Sequence, residues 1–186
     1  DKAMLSDRLH GNLAPLVTVN QSVYRTADPR YCSGLDVASG EGAIKTSGRW
    51  HLAGLGRLVY TSLTPETALV ESLAAVRYFG MPTKKAFPRM MVSIGVEIAR
   101  VLDLTDFELQ NQLGLSTEMM GVDWRAENYA GREALTQAWG EVFFQSSVAA
   151  VLVPSIADEG GVNLLVFPDK LHGSDRFRAE DENALD

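Results

Sequence analysis

The clearest pattern in the chain is a strict alternation over residues 90–98, where Met90, Val92, Ile94, Val96 and Ile98 interleave with Met91, Ser93, Gly95 and Glu97. Period two over that length predicts a strand with one strongly apolar face. Two shorter runs, SVYRT at 22–26 and LVYTS at 58–62, are rich in β-branched and aromatic residues and bounded by polar or Gly-containing stretches, so both predict strands. Two more are predicted at 148–153 and 162–167. Helical periodicity appears where Thr64 and Pro65 supply an N-cap and a first-turn proline. That helix is expected to run to about Phe79 with Leu69, Leu73 and Val76 on one face, and Gly80 and Pro82 stop it. Thr105 and Glu108 form a capping-box pattern opening a short helix, and 132–145 predicts a longer one.

Between the strands at 22–26 and 58–62, the segment 33–56 holds Gly34, Gly40, Gly42, Gly48, Gly54 and Gly56. That is too much glycine for an element interior but suits backbone lying close against a ligand. Helices and strands interleave without a regular βαβ rhythm, which predicts an α+β domain with a mixed, mostly antiparallel sheet and flanking helices. The final stretch, 173–186, has five acids, two arginines and few apolar residues, and is expected to be a frayed tail or a solvent helix. With no internal repeat and no linker, residues 1–186 are expected to form a single domain.

Composition narrows the function. At 186 residues, 46% hydrophobic and 22% charged, the chain fits one soluble domain with a sizeable core. Cys32 is alone and cannot form an intrachain bridge. No apolar run approaches the ~20 residues of a membrane span, and the first residues lack a basic segment followed by an apolar one and a cleavage site. A cytoplasmic protein is therefore expected. The net charge of -7 argues against direct nucleic-acid binding. Its distribution is uneven: residues 1–60 carry 7 Lys or Arg against 5 Asp or Glu, and residues 61–186 carry 10 against 19. The first third is thus the part suited to holding a small anion.

Several common chemistries are excluded. There is no Walker loop and no G-x-S-x-G elbow, and neither Gly40/Gly42 nor Gly54/Gly56 extends to G-x-G-x-x-G. His10, His51 and His172 are far apart, so no metal site is expected. Glu66 and Glu71, five apart, point to different sides of their helix and make a poor glycosidase pair.

Glu71 is the informative residue, being the only charge within TALVESLAAV at 67–76, where the helix is apolar nearly all round and so expected to be mostly buried. At ~100° per residue it lies away from the Leu69/Leu73/Val76 stripe, beside Thr67, Ala74, Ala75 and Tyr78. Small neighbours leave space for a ligand. Just upstream, Arg49, His51, Tyr60 and Ser62 add a guanidinium fork, a polar ring, a stacking ring and a hydroxyl. Singly, each has an ordinary structural explanation, such as a surface salt bridge for Arg49 or a half-buried strand position for Tyr60.

Together with Tyr24-Arg25, Gly42-Ala43, Gly48-Arg49-Trp50, Val59-Tyr60-Thr61-Ser62, Thr67-Ala68-Leu69-Val70-Glu71, Val153-Pro154-Ser155, Asn163 and Pro168, the chain resembles the RES domain from Val23 to Pro168. The arginine, glutamate and serine that name that family fall most naturally on Arg49, Glu71 and Ser155. The resemblance implies a toxin of a bacterial toxin–antitoxin pair, a fold similar to ADP-ribosyltransferase toxins, NAD as substrate without a metal, and an Xre-type antitoxin covering the cleft. It also implies toxin dimers within a larger complex. His51 stands where the family usually has Asn, and is similar to the His of the His, Tyr, Glu set in diphtheria-like ADP-ribosyltransferases. This favours transfer of ADP-ribose to a protein. Leu69 stands where arginine-modifying transferases have the first Glu of Glu-x-Glu. The alternatives are NAD depletion by hydrolysis or phosphorolysis, and a non-catalytic module binding a nucleotide or peptide. On this reading Glu71 stabilises the oxocarbenium-like ribose, Tyr60 stacks on nicotinamide, and Arg25 and Arg49 clamp the pyrophosphate. His51 and Ser62 orient the sugar, and Ser155 with Asn163 closes the far side.

Overall fold

A computed structural model describes residues 1–11 and 16–185, from 181 onward by backbone alone. Along the chain, α1 (Lys2–Gly11) leads to β1 (Val17–Ala27), then α2 (Gly34–Ser39), α3 (Gly42–Lys45), β2 (Val59–Ser62) and α4 (Pro65–Tyr78). The second half comprises β3 (Arg89–Asp103), α5 (Phe107–Leu113), α6 (Thr117–Met120), α7 (Trp124–Tyr129), α8 (Leu135–Gln145), β4 (Ala150–Pro154), β5 (Val162–Val166) and β6 (Arg176–Leu185).

The strands follow the order β1-β2-β5-β4-β3-β6, with β3 and β4 parallel and every other pair antiparallel. This is the α+β architecture with a mixed, mostly antiparallel sheet. In addition β1 pairs along β3, so five strands close on themselves. The closure between β1 and β2 consists of one pairing, Tyr24 with Ser62. Beyond it the two strands part, and that gap positions the site.

The alternation at 90–98 has the expected result: Val92, Ile94, Val96 and Ile98 are buried in a cluster with Val23 of β1, Val59 of β2, Leu152 of β4 and Leu164 of β5. All five strands of the ring send one face into this cluster. Full burial of a side chain such as Ile94 stabilises the fold by about 1.5–3 kcal/mol. The other faces of β4 and β5, through Val151, Val153 and Leu165, pack with Leu9, Trp50, Leu109, Trp139 and Phe143 under the helices. Both faces of these central strands are therefore dry.

Helix α4 begins as expected, with the Thr64 hydroxyl accepting from the Thr67 N–H at 3.2 Å, and Gly80 beyond its end takes φ +63°. Three expectations need correction. The cap of α5 is Asp106, which accepts from the Glu108 N–H at 2.8 Å, while Thr105 hydrogen-bonds back to Asp103. Helix α4 is not mostly buried: Thr67, Ala68 and Val76 are, where the helix packs on β1, β2 and the 83–86 segment, but Leu69 and Leu73 are only half-buried. Residues 176–185 are no frayed tail or solvent helix. They form β6 against β3, from Arg176 opposite Glu97 to Leu185 opposite Arg89. Phe177 and Ala179 turn towards the core while Arg176, Arg178 and Glu180 face solvent. The long edge of β3 requires a pairing partner, and the charged outward face masks this alternation in the sequence. Residue 186 lies outside the described residues.

Candidate active site

Where β1 and β2 part, a cleft of about 540 Å³ runs between the Gly40–His51 segment and α4, and a smaller lobe of about 300 Å³ opens between the strands themselves. Arg25, Tyr60 and Glu71 line both, so they stand at the junction. The 100° reckoning on α4 holds on one side: Glu71, Ala74, Ala75 and Tyr78 face the larger lobe together. Thr67 instead turns inward and donates to Asp158.

Glu71 is held from behind. Its Oε1 accepts from Ser155 Oγ and from Asn163 Nδ2, both at 2.6 Å. Oε2 takes no hydrogen bond among the described residues. Ser62 Oγ donates to Asn163 Oδ1 at 2.7 Å, which orients the amide so that its N–H₂ faces the carboxylate. Ser155 Oγ in turn accepts from the Asp158 N–H at 3.0 Å, and Asp158 Oδ2 accepts from Thr67 Oγ1 at 2.7 Å. One oxygen is fixed and the other faces the junction.

The arginines differ. Arg25, next to the single β1–β2 pairing, donates to the Val37 carbonyl at 3.0 Å, and burial pushes its pKa below the ordinary value. It has no carboxylate ion-pair partner among the described residues, so it is a desolvated cation suited to an anionic ligand. Arg49 donates through Nη1 to the carbonyls of Met120 and Val122, at 2.5 and 2.8 Å. Burial lowers its pKa and the negative charge of Glu71 works in the opposite direction. Arg49 thus ties the Gly48–His51 turn to the segment between α6 and α7 while still lining the cleft.

His51 lines the cleft and holds Tyr60 in place. Its Nε2 lies 2.7 Å from the Thr46 carbonyl, so Nε2 carries the proton and Nδ1 accepts from the Tyr60 hydroxyl at 2.9 Å. That hydroxyl also accepts from the Trp50 N–H at 3.0 Å. The ring, 4% exposed, is committed on both nitrogens, and burial raises the Tyr60 pKa and keeps the phenol protonated. Trp50 itself belongs to the core. Ser155 and Asn163 hydrogen-bond Glu71 directly and Ser62 reaches it through Asn163, while Ser62 and Asn163 also line the smaller lobe.

Burial pushes the His51 pKa below its ordinary value despite the hydrogen bond to Thr46. The unfolded chain therefore binds this proton more readily. The stability from His51 is fully present above about pH 6.5 and is lost as pH falls below that value towards the folded-state pKa. Melting temperatures measured from pH 8 to pH 5 should fall more steeply for the parent than for His51→Asn. Parallel curves would remove His51 from that account.

Sequence reasoning missed the residues that hold the turn. Gln137, buried in α8, donates to the Gly48 carbonyl and to Asn128 Oδ1, both at 2.9 Å, and accepts from the Ala134 N–H. Nothing in the sequence marks it. Gly140, also in α8, lies so close that a Cβ there would meet the Trp50 carbonyl oxygen at 1.8 Å. Its signal was available: an isolated glycine inside a helical pattern usually has a packing reason.

No curated protein matches the chain. Among solved structures, a chain of the M. tuberculosis MbcT–MbcA toxin–antitoxin complex superposes with a TM-score of 0.76 at 23% identity, covering 97% of this chain and 91% of that one. That likeness shows the fold. The family model described as "RES domain" matches residues 22–184, which spans the strands of the ring except residues 17–21 of β1 and includes Arg49, Glu71 and Ser155. The chain belongs to the RES domain family.

Proposed function

We propose that the cleft binds NAD and breaks its nicotinamide–ribose bond. The observation that carries this reading is the Glu71 carboxylate, pinned on one oxygen by Ser155 and Asn163, with the other facing a junction also lined by Tyr60 and the desolvated Arg25. When the bond breaks, its electron pair goes to the nicotinamide nitrogen and neutralises the ring, so no acid has to protonate the leaving group. Positive charge is left on the ribose. Glu71 Oε2 accepts from the ribose 2′-OH and opposes that developing charge, an interaction stronger in the transition state than in the ground state. Because the carboxylate is already oriented, little reorganisation is needed during reaction. The Tyr60 ring, locked by His51 and Trp50, stacks on nicotinamide. Arg25 holds the pyrophosphate, and Arg49 contributes through the nitrogens not spent on Met120 and Val122.

The expectation of transfer to a protein drew on His51, and that ring is occupied internally. The smaller lobe favours the other outcome, since it reaches Glu71 from between the strands, carries Arg25, Arg89 and Asn163, and has room for a small acceptor. In this second reading water or inorganic phosphate attacks C1 of the ribose, yielding ADP-ribose or its 1-phosphate. Incubating the protein with NAD labelled in the adenylate half, with and without phosphate and with cytosolic protein, separates the outcomes. Free labelled product is expected. Label on a protein band would restore the transferase, and NAD unchanged over hours would leave only a binding module.

The physiological role that fits is a toxin acting in the cytoplasm. The structural match to a chain of the MbcT–MbcA toxin–antitoxin complex supports a protein antitoxin as partner, and the family likeness supports an Xre-type one that covers the cleft. Among the described residues no helix is long and apolar enough to cross a membrane.

A further inference from the structure

At the outer end of the larger lobe, away from Glu71, stands a group that the reaction as described does not use. The Arg125 guanidinium carbon lies 4.4 Å from the Trp124 ring centroid and 4.8 Å from that of Tyr78, and both rings line the cleft with it. Its side chain makes no hydrogen bond and no ion pair among the described residues. The arrangement is built in advance. Tyr78 donates its hydroxyl to Asp123 Oδ2 at 2.9 Å, and Asp123 Oδ1 accepts from the N–H groups of Arg125 and Ala126. Arg49 fixes the same segment from the other side through Met120 and Val122. A guanidinium held over aromatic rings at the wall of a cleft, beside the Trp124 ring, offers planar groups on which a purine can stack.

We infer that Trp124 and Arg125 form the shelf on which the adenine of the dinucleotide stacks, so that this arm selects a dinucleotide over a mononucleotide. The inference rests on the NAD reading above. With the reacting ribose at Glu71 and the pyrophosphate near Arg25 and Arg49, the adenosine half extends along the cleft. The end near Ser39, Gly40 and Gly42 offers small and polar groups with no flat ring, whereas the Trp124–Arg125 end offers planes. Arg125 is a specificity residue on this view, remote from the bond that breaks.

The test compares nicotinamide release from NAD and from nicotinamide mononucleotide, which lacks the adenylate half, in the parent, Arg125→Ala and Arg125→Lys. Binding of AMP is followed in parallel by Trp fluorescence, since Trp50 and Trp139 are buried and Trp124 lines the cleft. Both variants should raise KM for NAD by about 10-fold or more with kcat nearly unchanged, and should leave the mononucleotide kinetics as in the parent. AMP should quench the parent's fluorescence and bind the variants about 10-fold more weakly. Equal weakening of NAD and mononucleotide, or full affinity in Arg125→Lys, would overturn the shelf, because charge alone would then account for the residue. If the parent releases no nicotinamide, the NAD reading fails by itself. AMP binding that still depends on Arg125 would keep the shelf, and its absence would end it.

Discussion

Glu71→Gln should release nicotinamide from NAD about 100-fold more slowly than the parent while binding ADP-ribose within a few-fold of it. The substitution keeps shape and one acceptor, so the hydrogen bonds from Ser155 Oγ and Asn163 Nδ2 to Oε1 can persist. What is lost is the negative charge on the side that faces the reacting ribose. Removing about 3 kcal/mol of stabilisation made mainly in the transition state corresponds to a rate reduction of that order. Single-turnover nicotinamide release, with ADP-ribose affinity measured separately, distinguishes this from a damaged binding site. If the variant turned over at the parental rate, the carboxylate would have no part in the chemistry. A matching loss of affinity and rate would make it a ground-state contact.

Gly140→Ala should be the most destabilising single methyl addition near the site. The added carbon would sit 1.8 Å from the Trp50 carbonyl oxygen and 2.7 Å from its carbonyl carbon, and neither is the end of a flexible side chain. Either α8 or the Gly48–His51 turn must move. Both are anchored: α8 by Trp139 and Phe143 in the core, and the turn by Gln137, Tyr60 and the Gly48–His51 bridge. Overpacking of this kind costs about 3 kcal/mol or more, which for a chain of this size lowers Tm by roughly 6–12 °C. Activity should fall as well, since Trp50 and His51 together set the Tyr60 hydroxyl. Gly11→Ala, where a Cβ meets nothing within 4 Å, is the control and should leave Tm nearly unchanged. A Gly140→Ala protein melting with the parent would mean that the turn is far softer than its hydrogen bonds imply.

These two positions also show where sequence reading succeeds and stops. Glu71 was visible because a lone carboxylate in an apolar helix violates the local pattern, and its neighbours Ala74, Ala75 and Tyr78 followed from helical period alone. Arg25, Tyr60 and Arg49 were found by the resemblance as much as by chemistry. That Arg49 spends one nitrogen on two carbonyls some seventy residues away was not readable, nor was the commitment of both His51 nitrogens. A side chain's type states what it could bond to, while the partner it takes depends on which backbone comes within 3 Å after the chain has packed.

The same division runs through the fold. The sequence by itself determined the α+β class, the apolar face of β3, the start of α4 and the carboxylate on its ligand-facing side, because each depends on spacing along one element. Tertiary structure alone decided that β1 meets β2 at one pairing and then parts from it, that 176–185 completes the sheet, and that Ser155 and Asn163 converge on one oxygen of Glu71. Those features join residues as far apart as Arg89 and Leu185, 96 positions along the chain. They follow from how two faces of the sheet were both kept dry, a condition that no local window of the chain contains.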